Sequence, residues 1–87
     1  MFYVYVLKSQ KDEKLYIGLT SDLRKRLAQH NNGKGKSTAY RTPFNLVYYE
    51  AYLSEKDALT GESQLKRFSG SYVHLRKRIG KSLILSK

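Results

Sequence analysis

The sequence predicts an α+β domain: a three-stranded antiparallel sheet flanked by helices, in the order ββαβα with a short C-terminal helix. Three observations support this prediction. Short segments rich in tyrosine and β-branched residues alternate in polarity, which is typical of half-buried strands. Two other segments carry apolar residues at helical spacing behind capping residues. The links are short and polar, so we expect a single domain over residues 1–87.

The first two predicted strands, residues 2–7 and 15–19, form a hairpin. Tyr5 lies near the middle of the first strand, and Tyr16 and Gly18 share one face of the second. A glycine inside a strand often marks the close approach of a ligand or of another backbone. A phosphate beside the two phenols would use the space above Gly18.

The remaining elements follow from capping and turn signals. The sequence 20–22 starts a helix, with a hydroxyl as the cap, and 32–33 ends it. A glycine-rich, basic loop over 33–43 precedes a third strand over 44–52. A second helix then runs from 55 to about 68, a break follows at 69–71, and a short helix covers 72–78. We expect residues 79–87 to be a loosely ordered tail.

Composition narrows the class of protein. The chain has no cysteine, which excludes disulfides, cysteine-ligated zinc and iron–sulfur clusters. No apolar run approaches the roughly 18 residues that a membrane span needs. The first residues lack the basic and apolar regions of a signal peptide, so we expect a cytoplasmic protein that does not bind membranes.

Positive charge is concentrated in two segments. The formal net charge is +10, and residues 24–41 and 66–81 each hold six cations and no acid. Clustered cations on a small domain are typical of proteins that bind polyanions. They favour nucleic acid as the partner; the alternative is a solvated surface that promotes solubility.

Two polar side chains of the first predicted helix lie beside its apolar stripe. At about 100° per residue, Arg26 and His30 fall next to Leu23 and Leu27, on the side that should pack on the sheet. An arginine there loses hydration unless an anion meets it. Either the pair meets an anionic ligand, or the arginine snorkels to water beside a histidine that a backbone carbonyl satisfies.

The second predicted helix has a similar anomaly. Glu62 lies on the inward stripe with Ala58 and Leu65. Buried carboxylates are rare unless they are paired or bind a metal. Glu62 is therefore either a ligand for a hard divalent cation or the salt-bridge partner of Lys66 or Arg26.

Several of these residues resemble the GIY-YIG nuclease domain. Tyr16-Ile17-Gly18 matches the second half of the motif, and Tyr3-Val4-Tyr5 keeps its first tyrosine but replaces the leading glycine. Three further residues stand at intervals similar to those of the family: Arg26, His30 and Glu62. The resemblance covers roughly residues 2–68. Within it, the stretch from residue 32 to residue 49 is similar to the short, stand-alone bacterial members of the family.

The resemblance implies a metal-dependent endonuclease that hydrolyses phosphodiester bonds in DNA with little intrinsic sequence specificity, with a role in DNA repair or processing. It implies one Mg²⁺ or Mn²⁺ on Glu62 and a clamp on the scissile phosphate by Arg26. One of Tyr5 and Tyr16 would accept the proton of the attacking water with the other in support. His30 would relay that proton or position the water or a phosphate.

We expect the basic face to track a nucleic-acid backbone, DNA more readily than RNA. Ten residues are assigned to this contact: Gly18, Arg24, Lys34, Lys36, Tyr40, Arg41, Lys66, Arg76, Lys77 and Arg78. Such contacts give affinity and salt dependence rather than sequence readout, so a protein partner would supply specificity. We expect a monomer or a weak dimer.

Two alternatives remain open for the function. One is a catalytically weak or inactive module of the same fold that binds nucleic acid with the same basic face. The other is a ribosome- or partner-associated protein in which Arg26 and Glu62 form a structural ion pair.

Overall fold

The structure is a computed structural model that describes residues 1–33, 39–67 and 69–85. Its strands form one antiparallel sheet in the order β2-β1-β3, which confirms the predicted fold class. The elements follow one another along the chain as β1 (Phe2–Ser9), β2 (Leu15–Thr20), α1 (Leu23–Asn31), a short 3₁₀ helix (Ala39–Arg41), β3 (Phe44–Tyr52), α2 (Glu55–Arg67), α3 (Ser69–Arg78) and α4 (Gly80–Leu85).

The central strand β1 separates two apolar layers. Its Val4 and Val6 pack against residues of α2 and α3, including Ala58 and Leu75. Its other face carries Tyr5 and Leu7, which pack with Phe44 under α1. The alternation predicted for the first hairpin is therefore confirmed, and the candidate site residues of β1 and β2 lie on the α1 side of the sheet.

Strand β3 departs from the simple alternation that its sequence indicates. Leu46 pairs with Leu7 and Tyr48 pairs with Val6, so Val47 is an extra residue in the strand. A bulge of this kind changes the face on which the following residues lie. As a result Val47 and Tyr48 both pack on the α2 side of the sheet.

The first helix begins differently from the prediction. The cap is the carboxylate of Asp22, which accepts a hydrogen bond from the backbone N–H of Lys25 at 3.1 Å. The hydroxyl of Thr20 instead accepts from the N–H of Asp22 at 3.1 Å. The predicted hydroxyl cap is therefore wrong: Asp22 stands one residue before the helix, and a carboxylate is also favoured at the positive end of the helix dipole.

The C-terminal region is more helical than the sequence indicated. Helix α3 already begins at Ser69, so the break predicted over 69–71 is wrong. The segment 79–87, expected to be a loosely ordered tail, contains α4, and Leu83 of that helix packs against the core. The backbone oxygen of Leu83 also accepts from Nζ of Lys8 at 2.9 Å. Every helix in the described ranges is too short or too polar to cross a membrane.

Asn31 ties the end of α1 to the start of β3. Its side-chain amide donates to the carbonyl of Phe44 at 3.2 Å and accepts from the N–H of Phe44 at 2.6 Å. Its neighbour His30 is only 1% exposed. The helix is thereby held against the tyrosine-bearing face of the sheet.

Candidate active site

The centre of the site is the cross-strand pair of Tyr5 and Gly18. Tyr5 is 2% exposed, and its hydroxyl and ring carbons stand where a Cβ at residue 18 would lie. The space above this glycine is therefore filled by a phenol of the protein. The interpretation of Gly18 as room for a phosphate is corrected: its missing side chain admits Tyr5.

Tyr5 and His30 form a buried hydrogen bond in which the hydroxyl oxygen lies 3.0 Å from Nε2. Burial, and then the charge of Arg26, lowers the pKa of His30, so the imidazole is neutral at pH 7. Burial also raises the pKa of Tyr5, although a hydrogen bond with Arg26 acts in the opposite direction. We therefore assign Tyr5 as the donor and Nε2 as the acceptor.

Tyr16 packs beside this buried pair but is more exposed. Its ring centre is 5.0 Å from that of His30 in an edge arrangement and 6.3 Å from that of Tyr5. Tyr16 is half-buried and lines an open groove, whereas Tyr5 is almost completely covered. Of the two motif tyrosines, Tyr16 is the one that a substrate can reach.

Arg26 brings a positive charge from α1 to both phenols. A hydrogen bond and the proximity of Tyr5 raise the pKa of Arg26, and Tyr16 contributes in the same direction. Its guanidinium also donates to Oε1 of Gln29 at 3.1 Å. Arg26 is thus a half-buried cation that lies against the tyrosines.

Glu62 of α2 belongs to the same neighbourhood. Its negative charge contributes to raising the pKa of Tyr5, after burial and Tyr16. The side chain is 19% exposed, and its Oε2 lies 3.2 Å from Nζ of Lys66. Within the described residues, the salt bridge of Glu62 is with Lys66 and not with Arg26, so only one of the two structural alternatives is present.

Glu62 is a partly exposed carboxylate that could serve as a single protein ligand to a divalent cation. No group of three His, Cys, Asp or Glu side chains that could hold a metal occurs in residues 1–33, 39–67 and 69–85. Mg²⁺ is commonly bound by one or two carboxylates while it keeps several waters and takes phosphate oxygens of the substrate. A partly exposed carboxylate meets that requirement, whereas zinc needs three or four protein ligands.

A groove of about 480 Å³ passes Tyr16 and separates β2 from the end of α2. One of its lining residues, Tyr72, is contacted by a further cation: the guanidinium of Arg76 lies 5.9 Å from the ring centre of Tyr72 and donates to the Tyr72 hydroxyl at 3.3 Å. Aromatic rings interleaved with cations are typical of surfaces that bind nucleic-acid strands. The groove is lined by Leu15, Tyr16, Ile17, Leu65, Lys66, Arg67 and Tyr72.

Two of the cations assigned to nucleic acid are engaged elsewhere in the fold. The guanidinium Nε of Arg41 bonds to Asp12 at 2.9 Å. Arg78 lies 6.0 Å from the ring centre of Tyr48, on the opposite face of the sheet from Tyr5. Neither side chain borders the groove.

The other assigned residues are dispersed. Arg24 lines a second cavity at the start of α1, Tyr40 is 69% exposed, and Lys77 is exposed on α3. Lys34 and Lys36 lie outside the described residues. Among the assigned residues that the structure describes, Lys66 lines the groove, and Arg76 contacts Tyr72, which lines it.

Sequence reasoning missed four side chains near these cavities. Arg67 and Tyr72 line the groove, and both carried a signal: Arg67 follows Lys66, and Tyr72 stands one helical turn before a cation. Tyr3 and Tyr49 line the second cavity. Tyr49 could not be recognised from alternation, because the bulge in β3 sets the face on which it lies.

Fold and site together define a class of protein: a small α+β domain in which two hairpin tyrosines lie against an arginine of one flanking helix, with a glutamate of another helix nearby. A family model described as the GIY-YIG catalytic domain matches residues 1–81. The chain therefore belongs to the GIY-YIG family, whose catalytic domain is that of nucleases.

Several short bacterial proteins are similar to this chain. The chain is 50% identical over 66 residues to a UPF0213 protein of Streptococcus pyogenes serotype M5 (strain Manfredo), which covers 75% of this chain and 71% of the relative. The same values hold for a UPF0213 protein of serotype M2 (strain MGAS10270). The solution NMR structure of a UPF0213 protein from Bacillus halodurans is 36% identical, with a TM-score of 0.51, and the match covers 87% of this chain and 86% of that one.

Proposed function

We propose that this protein is a metal-dependent endonuclease that hydrolyses phosphodiester bonds in DNA with little intrinsic sequence specificity. The observation that carries the proposal is that Arg26 lies against both Tyr5 and Tyr16, while Glu62 is close enough to act electrostatically on Tyr5. Tyr16 also lines a basic, aromatic groove. Membership of the GIY-YIG family supports the class of reaction.

Arg26 is assigned to the scissile phosphate. The guanidinium is a permanent cation whose planar fork can donate to two phosphate oxygens at once. Its contacts with the two phenols hold it beside Tyr16, the residue that we assign to the attacking water. A fixed cation of this kind stabilises the charge that develops on the phosphate in the transition state.

Tyr16 is assigned to the attacking water, and Tyr5 and His30 are assigned as positioning residues. The hydroxyl of Tyr5 is buried and already bonded to Nε2 of His30. Tyr16 lines the groove and contacts both of these rings. Those contacts orient the Tyr16 ring, whose hydroxyl can then take part in moving the proton of the water.

Glu62 would hold a single Mg²⁺ or Mn²⁺, and that cation would neutralise charge on the phosphate oxygens. Cation binding at the carboxylate would leave Lys66 available for the nucleic-acid backbone. We place the activity in DNA repair or processing in the cytoplasm. We also propose that the protein acts as a monomer or weak dimer and that a protein partner supplies any choice of target.

A second candidate function is a module that binds nucleic acid without cleaving it. The salt bridge between Glu62 and Lys66 favours this reading, because it already satisfies the carboxylate. In that case Arg26→Ala weakens binding, whereas Glu62→Ala is neutral or improves binding by removing a negative charge.

The test is a nicking assay on supercoiled, single-stranded and branched DNA and on RNA, with and without Mg²⁺ or Mn²⁺. The endonuclease reading gives metal-dependent nicking of DNA that Glu62→Ala abolishes. Glu55→Ala is the matched control, since it removes an exposed acid from the same helix. Binding without cleavage in every substrate would support the module instead, and nicking that survives Glu62→Ala would contradict the proposed site.

A further inference from the structure

A second cavity, of about 430 Å³, adjoins the candidate site on the α1 side of the sheet. Two relationships fix its position next to Tyr5. Tyr3 lies two residues earlier on the same face of β1, and Tyr49 of β3 is the strand partner of Tyr5. The cavity is lined by Tyr3, Ser21, Asp22, Leu23, Arg24, Leu46 and Tyr49. We call it the Tyr3–Tyr49 cleft.

Aromatic surface in this cleft is open to solvent. The rings of Tyr3 and Tyr49 meet edge to face, with centres 5.9 Å apart and planes at 68°. Tyr49 is 52% exposed even though it stands in the middle of a strand. An edge-to-face pair leaves ring surface uncovered by the partner ring, and that surface can stack on a flat ligand.

The bulge at Val47 creates the apolar wall of the cleft. Without the extra residue, Leu46 and Tyr49 would point to opposite faces of β3. With it, both lie on the α1 side, where Leu46 packs beside Tyr5 and Leu7. The departure from regular pairing thus places an aromatic ring and an aliphatic side chain together next to the site.

The rim of the cleft is polar. Arg24 is exposed and stands two residues before Arg26 on the same helix. Ser21 and Asp22 add a hydroxyl and a carboxylate at the start of α1. An apolar slot with hydrogen-bonding groups and a cation at its edge matches a nucleobase attached to its phosphate.

Resting on the function proposed above, we infer that the Tyr3–Tyr49 cleft takes one unpaired base of the strand whose phosphate lies at Arg26. Arg24 meets the adjoining phosphate. A base within a duplex is paired and stacked, so it cannot enter the cleft unless it is extruded. The substrate class is accordingly DNA with an unpaired nucleotide next to the scissile bond: single strands, flaps or branch points.

The experiment measures binding rather than cleavage, so that it stands independently of the proposed catalysis. Binding of a single-stranded oligonucleotide and of the matching duplex is measured in EDTA at several salt concentrations. Tyr49→Ala should weaken single-strand binding about 5- to 100-fold, which corresponds to the loss of one base–aromatic stacking contact. Duplex affinity and the salt slope should not change, because phosphate contacts determine them.

Two further variants separate stacking from other effects. Tyr49→Phe keeps the ring and should restore single-strand binding. Leu59→Ala is a control of similar exposure, 49%, on α2 away from the cleft, and it should bind like the parent protein. In addition, a single 5-iodouracil placed in the oligonucleotide should crosslink to Tyr3 or Tyr49 under light.

Three results would overturn the inference. They are unchanged single-strand affinity in Tyr49→Ala, an equal loss for duplex and single strand, and crosslinks that map only to other tyrosines such as Tyr72. The proposed catalysis fails separately, if the parent protein does not nick DNA in the presence of metal. A protein could therefore show the stacking contact and lack the nuclease activity, or the reverse.

Discussion

The ring of Tyr5 occupies the volume that a side chain at residue 18 would need. Both residues are buried, and the Tyr5 hydroxyl is held by Nε2 of His30 at 3.0 Å. Gly18→Ala must therefore displace a constrained ring. We expect it to lower the free energy of unfolding by about 1–3 kcal/mol, as overpacking in a core does, measured by urea denaturation.

Gly70→Ala is the control for this prediction. Gly70 lies in α3, and a Cβ there would meet no atom within 4 Å. Because alanine is the better helix former, the substitution should leave stability unchanged or raise it by up to about 1 kcal/mol. Equal destabilisation by the two substitutions would show that the Tyr5 ring does not determine the need for glycine.

The two motif tyrosines should respond differently to removal of the hydroxyl. Tyr5→Phe removes the buried donor to His30 and should lower stability by about 1–3 kcal/mol. Tyr16→Phe should change stability by less than about 0.5 kcal/mol, since Tyr16 is half-buried beside an open groove. The nicking rate of Tyr16→Phe should fall about 10²- to 10⁴-fold. A Tyr16→Phe protein with the parent rate would contradict its assignment to the water.

Stability should decrease as the pH falls below about 6.5, the ordinary pKa of histidine. Burial lowers the pKa of His30 in the folded state, so between that lowered pKa and about 6.5 the unfolded chain binds the additional proton. Proton binding by the unfolded chain favours unfolding, and the loss should level off below the folded-state pKa. Thermal melts at a series of pH values measure this effect.

His30→Gln should remove most of this pH dependence between pH 5 and 7. His74→Gln is the comparison variant, because it replaces the exposed histidine of α3 by the same residue. If the slope of His30→Gln matched that of the parent protein, the pH dependence would have to come from a group other than His30.

Nucleic-acid binding measured at several salt concentrations should distinguish cations near the groove from cations that are paired elsewhere in the fold. Arg76 contacts Tyr72, which lines the groove, so Arg76→Ala should reduce the slope of log K against log salt by about 0.9. Arg41 is already bonded to Asp12 at 2.9 Å, so Arg41→Ala should leave the slope nearly unchanged. A larger change for Arg41 than for Arg76 would place the nucleic acid on the other side of the domain.

The sequence predicted the sheet and the first two helices because their signals are local. Strand alternation, an apolar stripe and caps act within a few residues. The bulge at Val47 depends on how β3 pairs with β1, and the early start of α3 and the helix α4 depend on packing against the core. Such tertiary effects override local turn signals at 69–71.

The site could be predicted in part, because charged residues are unusual on the face of a helix that packs on a sheet. That argument singled out Arg26, His30 and Glu62, and the structure brings Arg26 and His30 to the tyrosines. Periodicity could not distinguish which partner Glu62 has, because Lys66 at i+4 and a residue across the domain are both within reach of a long side chain. Nor could it show that Tyr5, rather than a ligand, fills the space at Gly18.

The proposed metal role of Glu62 can be separated from a structural role by Glu62→Gln. The carboxylate is paired with a half-exposed lysine, so loss of the pair should cost at most about 1 kcal/mol. If Glu62→Gln keeps nearly the stability of the parent protein but loses nicking activity, the carboxylate has a role in the reaction. A loss of several kcal/mol would point to a structural ion pair instead.

We propose that Tyr16, Arg26 and Glu62 form one phosphodiesterase site, and single-turnover nicking of supercoiled DNA against Mn²⁺ concentration tests this proposal most directly. The parent protein and Glu55→Gln should nick with a rate that rises and saturates with Mn²⁺. Glu62→Gln, folded and still bound to the DNA, should show no nicking at any Mn²⁺ concentration. Nicking by Glu62→Gln with the parent protein's rate and Mn²⁺ dependence would contradict the claim.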